Sequence, residues 1–238
     1  MTTANFQINN YVLLKILKMF KEVNNEVTII FSKDVEIRAM DKPHCQFFFA
    51  KMNNQALRNV SIKEDFEIFF DSEKLRLASE KSTASEISLI FSDLSIVFKE
   101  ESPSGSVFNL KVYSDSNFKF QGPKFQEPKR ITINSTHLLE GIKKLSIISH
   151  LIDIANKDNK VIFRSQDILY GEGNFAIGES DNFSSNSQYF NLSSLKNILE
   201  NVPENTVITL EIDKQKFLRL TFSFAHVSFT LYIAPSLE

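Results

Sequence analysis

The sequence predicts an α+β chain of two similar halves, in which strands dominate and each half carries two helices. Three observations predict it. A helical pattern at Asn9–Phe20 recurs 125 positions later, so that Asn9, Leu13, Leu14, Leu17, Lys18 and Phe20 line up with Asn134, Leu138, Leu139, Ile142, Lys143 and Leu145. A second set sits about 120 positions apart: Phe70, Asp71, Leu75 and Ile87 against Phe190, Asn191, Leu195 and Val207. Outside four helical segments the texture is β-branched and aromatic. Two similar halves tend to stack with approximate symmetry, and such symmetry often continues into an oligomer.

The first helix spans Asn10–Val23, with Leu13, Ile16, Leu17 and Phe20 centred on one side and Lys15, Lys18 and Lys21 along the other. Strands Val27–Phe31 and Val35–Met40 follow. The second helix, Asp71–Lys81, has Asp71 or Ser72 placed to cap it. Strands Glu86–Phe91, Leu94–Lys99 and Val107–Tyr113 complete the first half. Ser114–Arg130 reads as a connector, because Gly122, Pro123 and Pro128 interrupt the strand pattern and it is too long for a hairpin turn. Its Phe118, Phe120 and Phe125 are expected to pack back on the body or to meet a partner. The third helix, Thr136–Ile148, can be capped by Asn134 or Ser135, and the fourth, Leu192–Asn201, by Asn191. Strands Phe217–Phe224 and His226–Ile233 close the chain. The domains expected are 1–113 and 131–238, joined by the connector 114–130.

The 23 phenylalanines fall largely in strand runs, which suits half-buried pleated surfaces. Only 6 Gly and 6 Pro are present, so Asn, Asp, Ser and Lys must make most turns. A chain 42% hydrophobic and 24% charged is expected to be soluble and globular. It lacks an apolar run of the roughly 18 residues needed to cross a bilayer. Its polar N-terminus lacks a signal region, so an intracellular, reducing compartment is expected. The single cysteine, Cys45, excludes an intrachain disulfide and a Cys-based zinc site. A net charge of −2 argues against polyanion binding by the whole surface, though not by a locally basic face.

Enzyme motifs find little support. Gly171-Glu172-Gly173 followed by Gly178 has the wrong spacing for a nucleotide-binding loop, and Asn174–Ile177 looks like a strand, so a turn before an edge strand is expected. His44, His137, His150 and His226 are scattered and show no metal-binding spacing. No G-x-S-x-G elbow is present and Cys45 has no partner motif. No cofactor or metal is expected. The helices carry a stronger pattern. Besides Lys15, Lys18 and Lys21, Lys74, Arg76 and Lys81 lie on the second helix, Lys143 and Lys144 on the third, and Lys196 on the fourth. Each is compatible with a solvated helix face. Together they are compatible with a shared electropositive surface that contacts phosphates without reading sequence.

The tail Leu231-Tyr232-Ile233-Ala234-Pro235 and the segment Arg38-Ala39-Met40-Asp41-Lys42-Pro43-His44 resemble the sliding-clamp family, proliferating cell nuclear antigen (PCNA), particularly its archaeal members. That family ends in a strand followed by Ala-Pro and carries a Met-Asp-x-x-His-like turn after the third strand. Pro203 before Thr206–Ile212, and Phe217–Phe224 before the final hairpin, keep the family's order, so the resemblance covers almost the whole chain.

The resemblance implies the DNA clamp fold: two similar domains, each with outer antiparallel sheets and two inner helices. It implies a non-enzymatic processivity factor whose three chains close head to tail around duplex DNA. Implied partners are other clamp subunits, an ATP-dependent loader, and polymerase, ligase and flap endonuclease docking through PIP-box-like peptides, with the protein DNA-associated and no membrane involved. The channel lysines would include Lys15, Lys18, Lys21, Lys74, Lys81, Lys143, Lys144 and Lys196. The peptide groove would be formed by Met40, His44, Cys45, Phe47, Phe118, Phe120, Pro123, Phe217, Tyr232, Ala234 and Pro235. The subunit contact would pair Val107, Phe108, Leu110, Val112 and Tyr113 with a neighbour's Phe175, Ala176 and Ile177, on the strand Asn174–Glu179.

Departures from the family accompany the resemblance. Phe217 stands where a groove proline is frequent. The connector is basic (Lys119, Lys124, Lys129, Arg130) where the family's is commonly acidic. Glu140 and Glu200 stand at two usually basic channel positions, so weaker DNA contact from the second half is expected; such departures are compatible with a subunit of a heterotrimer. A checkpoint-type or otherwise specialised clamp is the nearest alternative, and a β-rich enzyme with an unrecognised site the more distant one.

Overall fold

The computed structural model describes residues 3–103, 105–113, 123, 125, 128–179, 186–212 and 217–236. The chain divides into two compact units: Met1–Met40, Phe48–Phe120 and Ala225–Phe229 in the first, and Asp41–Phe47, Gln121–Phe224 and Thr230–Glu238 in the second.

In chain order the first part runs β1 (Thr3–Asn9), α1 (Asn10–Lys21), β2 (Glu26–Phe31), β3 (Val35–Met40), β4 (Gln46–Met52), β5 (Arg58–Ile62), β6 (Phe66–Asp71), α2 (Glu73–Lys81), β7 (Glu86–Ser92), β8 (Ser95–Glu100) and β9 (Val107–Lys111). The second part runs β10 (Lys129–Asn134), α3 (Ser135–Leu145), β11 (Leu151–Lys157), β12 (Lys160–Asp167), β13 (Gly171–Glu179), β14 (Asn186–Asn191), α4 (Ser193–Leu199), β15 (Val207–Ile212), β16 (Leu218–Phe224) and β17 (Val227–Ile233). Among the described residues this is an α+β fold of four helices and antiparallel sheets.

In the first unit an antiparallel sheet has the order β5-β1-β7-β8-β9, and β2 pairs with β3 on one side and β6 on the other. Alternating burial along β3 (buried Val35, Ile37 and Ala39) follows the two-residue period of a half-buried strand. A run of rings connects the two layers: Phe6 lies 5.3 Å from Phe91, Phe91 4.8 Å from Phe31, and Phe31 4.5 Å from Phe66. Helix α1 buries Leu13, Ile16, Leu17 and Phe20, the stripe its 3.6-residue period implies. Asn9 caps it, its side chain accepting from the N–H groups of Tyr11 and Val12. The helix stops at Lys21, before Val23, where the bonding tightens to three residues back: the Glu22 N–H donates to the Met19 carbonyl and the Val23 N–H to the Phe20 carbonyl.

Helices α1 and α2 are joined by buried polar groups. Asn10 Nδ2 donates to the Ser79 carbonyl at 3.1 Å, and Ser79 Oγ donates to Asn10 Oδ1 at 2.6 Å. At the start of α2, the Ser72 hydroxyl is drawn 2.8 Å to the Asn25 carbonyl and makes no cap. The Asp71 carboxylate accepts from the Glu73 N–H at 2.9 Å instead. The regular strand expected through Tyr113 ends at Lys111, and Tyr113 returns only as a bridge to Phe69.

The second unit repeats these devices. Its sheet has the order β13-β12-β11-β14, and β15 pairs with β10 and β16. Lys129 and Arg130, expected in the connector, are in β10, opposite Ile212 and Glu211. Asn134 caps α3 through the Thr136 N–H, and Asn191 accepts from the Ser193 N–H at the start of α4. The two-residue turn Asp158-Asn159 joins β11 to β12, both residues having positive φ as a type I′ hairpin requires. Gly171, at φ +90°, starts β13 itself, so the edge strand is longer than its apolar segment suggests. The second repeat breaks at its last member: Ile87 is fully buried whereas Val207 is 65% exposed.

The sequence pattern does not single out β1, β4, β5, β6, β10, β11, β12 or β14. β5 and β12 interleave polar residues, and β6 and β14 run directly into a helical segment. Among the described residues no helix is long and apolar enough to cross a membrane, and no group of three or more His, Cys, Asp or Glu is placed to hold a metal ion.

Candidate functional site

The expected cationic helix face is only partly available. In the first unit, Lys18 Nζ lies 3.2 Å from Glu80 Oε1. Arg76, largely buried, donates to Glu73 and Glu80. The hydrogen bonds from Arg76 hold the Glu73 carboxyl below its usual range, and the charges of Lys21 and Lys74 act in the same direction. Lys21 of α1 and Lys74 of α2 therefore flank one carboxylate without forming an ion pair to a described residue. Lys81 is exposed, and the Lys15 ammonium lies 5.7 Å from the Tyr11 ring centroid.

In the second unit, Lys143 Nζ lies 3.0 Å from Glu200 Oε1 and Lys144 Nζ 2.5 Å from Glu140 Oε1. The Lys144 hydrogen bond holds the Glu140 carboxyl below its usual range. Lys196 makes no ion pair among the described residues. Of the eight lysines named from sequence, Lys18, Lys143 and Lys144 are thus engaged by carboxylates, and Lys15, Lys21, Lys74, Lys81 and Lys196 remain.

Among the terminal strands of the described sheets, β9 in the first unit and β13 in the second are the edges expected to recruit another strand. In the first unit β9 ends its sheet and pairs only with β8 among the described strands. Val107, Phe108 and Tyr113 are exposed by 61%, 43% and 54%, and Leu110 and Val112 are half-buried. In the second unit β13 ends its sheet. Ala176 is exposed, and Phe175 half-buried against α3, 4.8 Å from the His137 ring. Ile177 departs from the expectation: it is 2% exposed, so its side chain belongs to the core and only its backbone is at the edge.

The groove residues that the structure brings together lie in the second unit. Asp41 shapes the Met-Asp-x-x-His-like turn. Its carboxylate accepts from the N–H groups of Cys45 at 2.8 Å and Gln46 at 2.7 Å, and its carbonyl from the His44 N–H at 3.1 Å. His44 is held at φ +60°, a left-handed conformation that His tolerates better than most residues. The Ala234 N–H donates to the Cys45 carbonyl at 2.7 Å, tying the tail to this turn. Tyr232 stacks near Phe47 at 6.2 Å and meets Phe125 at 5.7 Å. Pro123, Phe217, Ala234 and Pro235 are half-buried, and His44 and Cys45 exposed. Met40 belongs to the first unit, where its carbonyl accepts from Asn24 Nδ2 at 2.9 Å. Phe118 and Phe120 lie outside the described residues.

Beneath the aromatic cluster is a charge group that the sequence reading missed. Glu211, 2% exposed, receives Arg130 Nε and Nη2 on Oε1, at 2.8 and 2.6 Å, and Arg219 Nε on Oε2 at 2.6 Å. Burial pushes the Glu211 carboxyl up, but the hydrogen bonds from Arg219 and Arg130 outweigh it and hold it below the usual carboxylate range. The Arg219 guanidinium lies 4.2 Å from the Phe125 ring centroid. A charged residue alternating with Leu210 and Ile212 in a strand is a weak signal, because solvated strand faces show the same pattern.

No protein-family model matches this chain, and no curated protein matches it. Solved structures do. The PCNA of A. fulgidus, in the structure with the C-terminal region of FEN-1 bound, superposes with a TM-score of 0.84 at 16% identity, covering 100% of this chain and 99% of that one. The PCNA of Thermococcus kodakaraensis superposes with a TM-score of 0.84 at 12% identity, covering 98% and 100%. The fold is that of these clamps along its full length.

Proposed function

We propose that this chain is a subunit of a DNA sliding clamp, a non-enzymatic platform that encircles duplex DNA and holds DNA-processing enzymes to it. The observation that carries this reading is the end-to-end agreement of fold with two archaeal PCNAs, with neither chain left over.

The described residues support each part of that activity. A sliding ring needs phosphate contacts that are individually weak and indifferent to base sequence, and lysines on flexible stems supply them. Lys15, Lys21, Lys74 and Lys81 in the first unit and Lys196 in the second are the candidates. Ring closure needs unpaired sheet edges. The edges of β9 and β13 supply two such edges per chain, and pairing β9 of one chain with β13 of the next around three chains leaves neither of them unpaired. Partner docking needs an apolar recess, where each buried anchor of a short peptide contributes roughly 1.5–3 kcal/mol. Phe125 and Tyr232, both half-buried, form such a surface; Phe47, expected in the groove, is 5% exposed and packs beneath Tyr232 as part of the core, and the A. fulgidus clamp carries the C-terminal region of FEN-1. By this reading a loader opens the ring, and polymerase, ligase and flap endonuclease are the clients.

A narrower reading is a specialised or heterotrimeric subunit. It is favoured by the second unit, where Glu140 and Glu200 occupy two of the three lysines of α3 and α4. The test is primer extension on singly primed circular DNA with loader and polymerase, beside light scattering of the chain alone. A trimer that lengthens products supports a self-sufficient clamp. A monomer that gains activity only with other subunits supports the heterotrimer. No effect on product length in either setting removes the clamp reading.

A further inference from the structure

Resting on the clamp reading, we propose that the groove of the second unit selects peptides in which acidic residues flank the aromatic or aliphatic anchors, with Arg130 and Arg219 as the specificity-determining pair. Two guanidinium groups share one carboxylate at Glu211, so the cluster retains one net positive charge beside the aromatic surface. Both Glu211 oxygens are already occupied by arginine donors, and Glu211 is shut off from solvent at 2% exposure, so it does not repel an incoming carboxylate directly. Among the described residues Arg130 uses two of its five N–H donors, both on Glu211, and its side chain is 62% exposed, so donors remain for a ligand there.

Arg219 connects charge to groove. Its Nε is held by Glu211 while its guanidinium covers Phe125, which in turn meets Tyr232. An anchor seated on Phe125 and Tyr232 therefore has a cationic border on the Arg130 side. A basic-flanked peptide brings like charge to this border and is disfavoured. Exposed, partly solvated charges favour a flank preference that is modest and sensitive to salt.

The experiment measures fluorescence anisotropy of three labelled peptides that share two aromatic anchors and carry Asp/Glu, Ser or Lys flanks, each at low and high salt. The acidic flank is expected to bind about fivefold more tightly than the neutral one at low salt, with the difference collapsing at high salt. Arg130→Gln should bring the ratio of acidic-flank to neutral-flank affinity close to one, and Arg130→Lys should keep that ratio. If Arg130→Gln does not fold, the salt titration of the unmodified chain and the Arg130→Lys variant decide. Equal affinity for all three flanks, or preference for the basic one, overturns the inference and leaves the groove intact. Binding of none of the peptides overturns both the inference and the groove, while clamp-dependent product length still tests the ring. Displacement of the acidic peptide by duplex DNA, or self-association that blocks it, would assign the patch to another occupant and overturn the inference.

Discussion

Lys143 and Glu200 form the same inter-helix ion pair that Lys18 and Glu80 form in the other unit, at 3.0 and 3.2 Å. The lysines are 125 positions apart and the glutamates 120, the two offsets at which the sequence repeats. The pairs tie α1 to α2 and α3 to α4, and they take two lysines out of any phosphate-binding surface. The two units therefore share a helix-to-helix contact, while the cations left over differ between them.

That difference predicts unequal contributions to DNA binding. Lys21→Ala and Lys74→Ala should each lower the magnitude of the log affinity against log salt slope by about 0.9. Lys143→Ala should change it little. Glu200→Gln should release Lys143 and raise the magnitude by about the same increment. The check is duplex binding across a salt series, and equal losses at Lys21 and Lys143 would contradict the assignment.

Gly141 on α3 is a packing position. A Cβ there would come within 2.3 Å of the Phe175 ring, far inside van der Waals contact. Gly141→Ala should displace Phe175 and cost about 1–3 kcal/mol of stability, by overpacking. Because Phe175 is on the β13 edge, assembly should weaken as well. Thermal denaturation and sedimentation of the variant check both, and an unchanged melting curve would refute the packing role.

Glu211 makes stability depend on acid. Its folded carboxyl is held below the ordinary value of 4.5, so its contribution is complete above that pH and is lost as pH falls through the lower folded value. Melting temperature should therefore drop on acidification below about pH 4.5, and Glu211→Gln should flatten that part of the profile. Glu211→Ala, which leaves two arginines without their shared partner, should cost about 3 kcal/mol at neutral pH.

The Asn10–Ser79 pair is buried and reciprocal, so removing one partner strands the other. Asn10→Ala should destabilise the first unit by about 1–3 kcal/mol. Chemical denaturation with separate probes in each unit checks whether the loss is confined there, and a shift below about 0.5 kcal/mol would contradict it.

Much of the architecture was legible because its causes are local. The apolar stripe of α1 follows from Leu13, Ile16, Leu17 and Phe20 at helical spacing, and Asn134 caps α3 because its own side chain reaches the next turn. The tail and the Met-Asp-x-x-His-like turn pointed to a clamp fold, which the full-length structural agreement bears out. Strand boundaries were less legible. Polar β5 resembles loop until β1 pairs with it, and Gly171 enters β13 because β12 pairs along it as far as Asp167.

By itself, then, the sequence determined where helices form, which faces they bury and that the pattern occurs twice, since these depend on neighbours three or four residues away. Only the tertiary structure decided which charges are spent on each other. Lys18 meets Glu80 across 62 residues of chain and Arg130 meets Glu211 across 81. An ion pair depends on a few ångströms between side chains that folding brings together, and no periodicity in the chain encodes that distance.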